Sequence, residues 1–425
     1  MIGMGELLKY ISIFILTIVI LIAMYDALAV CYPRITGLRW SLPSQILQRS
    51  VFPRCVHPQI TCNPYFQISV SVLLNRAILI VFASLVYSFL ENKPIDILGN
   101  YAAVWFKWDT RHFLYLAEHG YPSEGEFKTL LVYYPMYPLL IRGMNLLVGD
   151  YFTSALLVSF ICLVVSSFVL FKLSLREFGD KQISKDSVKY LLLFPMSIFA
   201  TMAYTESTFL MFSVLSFYFI RKQSFWVAGA FGGLAALTRN QGVLLVAPLV
   251  YESVRVAIES KRSGNRIGVA EFGKIVLPPL LIMGGLFAYL WLNKSVSGDW
   301  FRFLEYQRTN WGQEVMFFAD NVANIYYRIG DGSTTIAMGT WIPSVAVFVF
   351  SLVMVTVMRR VLPTAYVVYC VPFLIISYSP SWLLSGARYM FVVFPFYMVL
   401  ARLLAGRRQL THCVESVLLF STMLI

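Results

Sequence analysis

The chain has 425 residues, 58% of them hydrophobic and only 13% charged, and its mean hydropathy is +0.70. Soluble domains carry about 25% charged residues, so this composition excludes a soluble enzyme and points to an all-α polytopic membrane protein. The net charge of +12 does not imply nucleic acid, because Lys and Arg form short clusters between apolar runs rather than a basic face or arm.

A bilayer crossing takes about 20 apolar residues, fewer where helices come as buried pairs. Apolar runs near 7–30, 68–90, 151–175, 190–203, 205–220, 224–238, 241–257, 275–294, 341–358, 361–378, 388–404 and 411–425 predict roughly 11–13 transmembrane helices. The run 7–30 is too long for a signal peptide and lacks a basic n-region and a cleavage site, so it reads as a span that stays. The four runs from 190 to 257 are short and read as two tight hairpins. Residues 1–67 form an N-terminal extension: one span, then a loop with Arg34, Arg39, Arg49 and Arg54 and no acid. Residues 68–425 are expected to form the main membrane domain. Cys55, His57 and Cys62 lack a second close pair at zinc spacing, and no metal site is expected. Cys162, Cys370 and Cys413 lie in apolar segments and read as small core residues.

Basic clusters fix the orientation. The Arg-rich loop, residues 176–189, Arg221-Lys222, the run Arg255, Lys261, Arg262, Arg266, Lys274, the pair Arg359-Arg360 and the trio Arg402, Arg407, Arg408 fall on one side if the spans alternate. The positive-inside rule makes that side cytoplasmic. The long loops near 91–150 and 295–340 are then external, and each holds more acids than bases.

Four polar features share that external side. The first is Trp108-Asp109 with Arg111. The second is Tyr204-Thr205-Glu206-Ser207 at one hairpin tip, and the third is Thr238-Arg239-Asn240-Gln241-Gly242 at the next. The fourth is Ser385-Gly386-Ala387-Arg388-Tyr389. Charges at membrane depth are expensive and face a polar cavity and a partner, so Glu206, Arg239 and Arg388 are expected to converge. The alternative is that Glu206 and Arg239 form a structural ion bridge, which is compatible with a site. Residues 104–121 place Phe106, Phe113 and Leu116 at near-helical spacing, which predicts one short interfacial helix with Asp109 and Arg111 on its polar side. A second juxtamembrane helix is expected to start near Pro138. In 295–340, aromatics and amides including Gln307 and Trp311 suit either sugar stacking or an interfacial belt. Asn293-Lys294-Ser295 matches a glycosylation sequon.

No Gly-rich phosphate loop, paired nucleotide-metal aspartates or spaced Ser-His-Asp set is visible. A transporter would show internal repeats with Gly/Pro-broken spans, and none is seen. A lipid-linked sugar donor fits better, with its tail between helices and its phosphate against an external cation. An acceptor hydroxyl must lose a proton as it attacks, and a carboxylate within reach serves as general base. Asp109 is that candidate. Nothing in this chemistry requires His112, which reads as an interfacial side chain.

At these residues the chain resembles a known family. Trp108-Asp109, Ala117-Glu118-His119-Gly120-Tyr121, Tyr134-Pro135-Met136-Tyr137-Pro138-Leu139, Phe194-Pro195, Tyr204-Thr205-Glu206-Ser207, Leu237-Thr238-Arg239-Asn240-Gln241-Gly242 and Ala387-Arg388-Tyr389 with Phe394-Pro395 resemble the GPI mannosyltransferase 2 family (the PIG-V type) over roughly residues 68–405. The resemblance implies a GT-C helical bundle with juxtamembrane helices in the first external loop. It implies an inverting mannosyltransferase using polyprenyl-phosphate mannose, dolichyl-phosphate mannose in eukaryotes, where the family serves GPI-anchor biosynthesis. It puts the acidic residue after Trp on Asp109 and marks Glu206 and Arg239. No cofactor is implied. Partners are the donor, a glycolipid or glycan acceptor and the bilayer, with room for an accessory membrane subunit. The motif wording resembles prokaryotic relatives, which implies a cell membrane; a eukaryotic member would sit in the endoplasmic reticulum. The expected roles are general base for Asp109, donor-phosphate contact for Arg111, Arg239 and Arg388, and orientation of an arginine or acceptor contact for Glu206. Trp108 and Trp311 would frame the sugar. Asn240, Gln241 and Gln307 are further expected substrate contacts. Other classes remain: a transferase of another polyprenyl-phosphate sugar to a cell-envelope glycan or protein, a lipid or solute transporter, or a non-catalytic subunit.

Overall fold

The computed structural model describes residues 3–31, 63–97, 99–264, 269–331, 334–381 and 384–424. Arg34, Arg39, Arg49, Arg54 and Arg266, and the Cys55, His57, Cys62 set, lie outside them. The described regular structure is helical, with one isolated antiparallel bridge between Val315 and Pro380. This is the form in which an apolar chain satisfies its own backbone in lipid. Six helices among the described residues are long and apolar enough to cross a bilayer: Met4–Leu28, Pro64–Leu90, Tyr151–Phe178, Asn240–Arg262, Gly273–Ser297 and Thr334–Met358. Shorter apolar helices, Phe225–Ala236, Thr364–Ser377 and Pro395–Leu404 among them, fill the bundle. Pro395–Leu404 is buried almost all round, as a helix without a polar face must be. The first helix is docked onto the later ones: Lys9 lies 2.6 Å from Asp320, and Asp26 2.6 Å from Arg359.

The short runs after 190 are hairpin arms. Glu206–Arg221 and Phe225–Ala236 are joined by a tight turn, and a 3₁₀ turn at Asn240–Leu245 starts the next arm, Val246–Arg262. Phe225–Ala236 passes so close to Val269–Ser297 that a Cβ at Gly233 would stand 2.6 Å from Leu281 O. Small residues permit such backbone approach in membranes.

The structure corrects two sequence expectations, on residues 104–121 and on Cys413, and adds detail to two other features. Residues 104–121 do not form one helix; Tyr101–Trp105 and Thr110–His119 are separate. Trp108 between them has φ +45°, a left-handed conformation that a bulky residue adopts only at an energetic cost. The break buries Trp105 and leaves Phe106 45% exposed, so Phe106 is not on the inner face. The second juxtamembrane helix starts at Met136, with Pro135 as its cap and Pro138 within its first turn, where no helical donor is lost. Cys162 and Cys370 are buried, but Cys413 is exposed, because Arg408–Leu424 lies at the edge of the bundle. Asn293 is fully buried; its Nδ2 donates to Tyr289 O and its Oδ1 accepts from Phe303 N–H. The sequon asparagine is therefore a clamp between two helices.

Candidate active site

The site starts at an unused helix cap. Asp109 precedes Thr110–His119, where an Asp side chain ordinarily accepts from the first free backbone N–H groups. Here it makes no capping bond. Instead its Oδ1 accepts from the Tyr133 hydroxyl at 3.0 Å. The turn itself is held by Tyr204, whose hydroxyl donates to Lys107 O and accepts from Asp109 N–H, both at 3.3 Å. These bonds span the strained Trp108, and strain of this kind persists only where surroundings over-determine it.

The helix after Asp109 is fixed by packing. Phe113 is buried edge-on against Tyr133, Tyr137 and Tyr204. The motif Ala117 to Tyr121 ends it: Gly120 takes φ +82°, and Arg142 Nε donates to Ala117 O at 2.6 Å. Tyr121 Oη donates to Tyr133 O at 2.7 Å. The motif therefore positions Tyr133, and Tyr133 positions Asp109.

Beside this lies a buried charge cluster. Glu206 is fully buried at the start of Glu206–Arg221. Its Oε1 is 2.9 Å from Arg239 Nη1 and 2.9 Å from Arg388 Nε. Its Oε2 has no partner among the described residues. Arg388 Nη1 lies 3.8 Å from Asp109 Oδ2, a distance of electrostatic contact rather than a hydrogen bond. The Arg388 guanidinium stands over Phe199, Tyr204 and Tyr389 at 5.3, 5.0 and 5.6 Å, and Arg239 over Tyr389 at 4.8 Å. Such faces hold a desolvated cation. Two arginines against one buried carboxylate leave one positive charge facing Asp109. Gly242, next to the Arg239 motif, could not be another residue without movement: a Cβ there would meet Ala236 N at 2.3 Å.

Burial, reinforced by the neighbouring Asp109 charge, pushes the Tyr133 phenol far above its ordinary value, so it stays a donor. Burial, and then the same carboxylate, does so for Tyr204. Burial holds His112 below its ordinary value although Asp109 opposes this. Its ring lies 5.5 Å from that of Tyr133, and its Nδ1 is buried without a partner among the described residues.

The structure brings Asp109, Glu206, Arg239 and Arg388 together. Trp108 sits at the rim, 70% exposed, with its ring 6.4 Å from Phe199. Trp311, at the end of Arg302–Trp311, meets Tyr133 edge-on at 6.1 Å. Gln307 is half-buried and Gln241 buried, each with an Oε1 lacking a partner among the described residues. Arg111 and Asn240 are exposed and make no ion pair with the Asp109–Glu206 cluster. Tyr133 and Tyr204 are the residues the sequence reading missed as partners of Asp109. Both stand in stretches it singled out as aromatic or motif-bearing, but contacts across 24 and 95 positions leave no local mark. Among the described residues no group of three His, Cys, Asp or Glu is placed to hold a metal.

A family model described as dolichyl-phosphate-mannose-protein mannosyltransferase matches residues 133–283, the stretch that carries Tyr133, Tyr204, Glu206 and Arg239. The GPI alpha-1,6-mannosyltransferase 2 of Rattus norvegicus is 30% identical over 162 residues, covering 35% of this chain and 32% of that protein. The GPI mannosyltransferase 2 of Yarrowia lipolytica is 27% identical over 123 residues, covering 29% and 34%. The chain spans about a third of the length of the curated relatives it matches. The crystal structure of ArnT from Cupriavidus metallidurans bound to undecaprenyl phosphate shares the fold, with a TM-score of 0.52 at 12% identity over 83% of this chain and 62% of that one. Over about a third of its length the chain is thus similar to GPI mannosyltransferases of type 2, and it shares a polytopic helical fold with ArnT.

Proposed function

We propose that the protein transfers mannose from a polyprenyl-phosphate mannose donor to a glycolipid hydroxyl at the external face of its membrane. The observation that carries this reading is the Asp109 carboxylate, with one oxygen held by Tyr133 and the other 3.8 Å from Arg388. The acceptor oxygen attacks C1 of the mannosyl group as its proton passes to Asp109. The C1–O bond to phosphate breaks with inversion, and its electron pair leaves with the polyprenyl phosphate. Arg388 and Arg239 supply positive charge for that phosphate. The burial of Glu206 supports a holding role, in which it orients both guanidiniums rather than touching the acceptor. Arg111, exposed and outside the cluster, is a weaker choice for the donor phosphate. Trp311, whose ring meets that of Tyr133, suits a sugar face, and Gln307, four residues before it on the same helix, suits its hydroxyls. The motif wording favours a prokaryotic cell membrane, and so an acceptor other than a GPI precursor.

Membranes with and without the protein, incubated with radiolabelled polyprenyl-phosphate mannose, test the reading. The expected result is a labelled glycolipid that depends on the protein. No labelled product, or label only on a glycan or protein when another polyprenyl-phosphate sugar is supplied, would contradict it.

A further inference from the structure

A sizeable cavity lies away from Asp109. It measures about 590 Å³ and runs between Pro64–Leu90, Lys181–Leu193 and Arg408–Leu424. That volume is within the roughly 300–1,000 Å³ of ligand sites. Its lining changes along its length. Gln67, Ser71, Gln182 and Lys185 line one end, where two of the helices begin; Phe82, Leu193 and Leu419 line the other. The helices Lys181–Leu193 and Arg408–Leu424 run in the same direction, since Lys189 pairs with Glu415 at 2.6 Å and Thr422 Oγ1 bonds Leu193 O further along. The polar end adjoins the basic stretch that carries Arg176 and Lys181 and is therefore cytoplasmic. Leu74 and Ile78 on the flank are 58% and 60% exposed, so the groove opens toward lipid.

Of the two lysines that line the groove, Lys189 is taken up by carboxylates and Lys185 is not. Asp180 is engaged by the backbone N–H groups of Gln182 and Ile183. Asp186 accepts from Gln182 Nε2 at 3.2 Å and lies 2.9 Å from Lys189, which also holds Glu415. No carboxylate among the described residues pairs with the half-buried Lys185.

We propose that this groove binds one anionic phospholipid of the cytoplasmic leaflet, with its phosphate on Lys185 and an acyl chain along Ile78, Phe82 and Leu193. An apolar channel rising from Lys185 complements a lipid's tail and head together. The neighbouring Arg76 is wholly buried and donates to Ser197 O at 2.8 Å and to Thr201. It ties the helix that lines the groove to the segment carrying Phe199, against which Arg388 stacks.

The test uses the full chain reconstituted in vesicles of phosphatidylcholine and phosphatidylglycerol in equal parts. The protein is then extracted into detergent and its retained lipid counted by native mass spectrometry. Phosphatidylglycerol should be enriched ~5-fold over phosphatidylcholine, the weight of one lysine at an anionic lipid surface. Lys185→Gln should remove the enrichment and Lys185→Arg keep it. Ser71→Trp, which puts bulk at the groove mouth, should lower retention of both lipids while the elution profile stays that of the wild type. Equal retention of the two lipids by the wild type, enrichment that survives Lys185→Gln, or full retention by Ser71→Trp would overturn the proposal.

Discussion

The molecule holds two clusters of buried charge, at opposite ends of the bundle, and they are finished differently. At the end where Glu206–Arg221 finishes, Arg221 takes both oxygens of Glu177 at 2.6 and 3.2 Å, and Tyr366 donates to the first at 3.1 Å. Arg221 and Arg255 share Glu252 Oε1 at 2.5 and 2.7 Å, and Arg255 Nε reaches Oε2 at 3.0 Å. Every oxygen of these two glutamates is satisfied, so the cluster acts as a staple between four helices. At the other end Glu206 has an oxygen without a partner among the described residues, and Asp109 meets Arg388 only at 3.8 Å. Buried polar groups left incomplete in a native protein call for an explanation. Under the proposed function, a ligand that brings its own phosphate and hydroxyls completes them. The satisfied cluster is a structural staple, and the proposal assigns binding and chemistry to the incomplete one.

Substitutions at each end can break that contrast. Glu206→Gln leaves two buried arginines with Asp109, 3.8 Å from Arg388, as their nearest counter-charge and should have the largest effect on stability, about 3–5 kcal/mol. Thermal unfolding in detergent measures it, and transfer should fall as well. Glu252→Gln should cost less, about 1–3 kcal/mol, because Arg221 keeps Glu177 and Arg255 keeps Glu259. Transfer per folded molecule should be unchanged, and a selective loss of transfer would blur the distinction. Tyr133→Phe removes one hydrogen bond to Asp109 and should slow transfer ~10-fold, moving the pH profile of kcat while the melting temperature shifts little. The smallest effect concerns His112. Its folded-state value lies below the ordinary one because of burial, so the unfolded chain takes up its proton first as pH falls. Stability from this group is complete above about pH 6.5 and declines below it. His112→Gln should flatten that decline in unfolding curves collected from neutral to mildly acidic pH.

Much of this was legible from composition and charge order. Alternating spans put Asp109, Glu206, Arg239 and Arg388 on one side, and the structure joins them. The same count treated Arg221 and Arg255 as plain loop cations. Their partners Glu177 and Glu252 lie 44 and 31 positions from Arg221, and pairing at such separation has no local periodicity. The break at Trp108 was hidden for a related reason. Local spacing favours a continuous helix, and the contacts that overrule it come from Tyr204, on another element. Arg76 shows the limit of hydropathy: it lies mid-span in an apolar run, yet is buried against Ser197 and Thr201. Cys413 shows the converse, an apolar context on a helix at the bundle edge, where the side chain faces outward.

The central claim rests on one carboxylate, and Asp109→Asn isolates it. The substitution keeps the shape and the bond from Tyr133 but removes the base. Transfer of labelled mannose by the purified variant should drop ~10²–10⁴-fold, with melting temperature and donor binding close to those of the wild type. Transfer at a near-normal rate by a correctly folded Asp109→Asn protein would contradict the account.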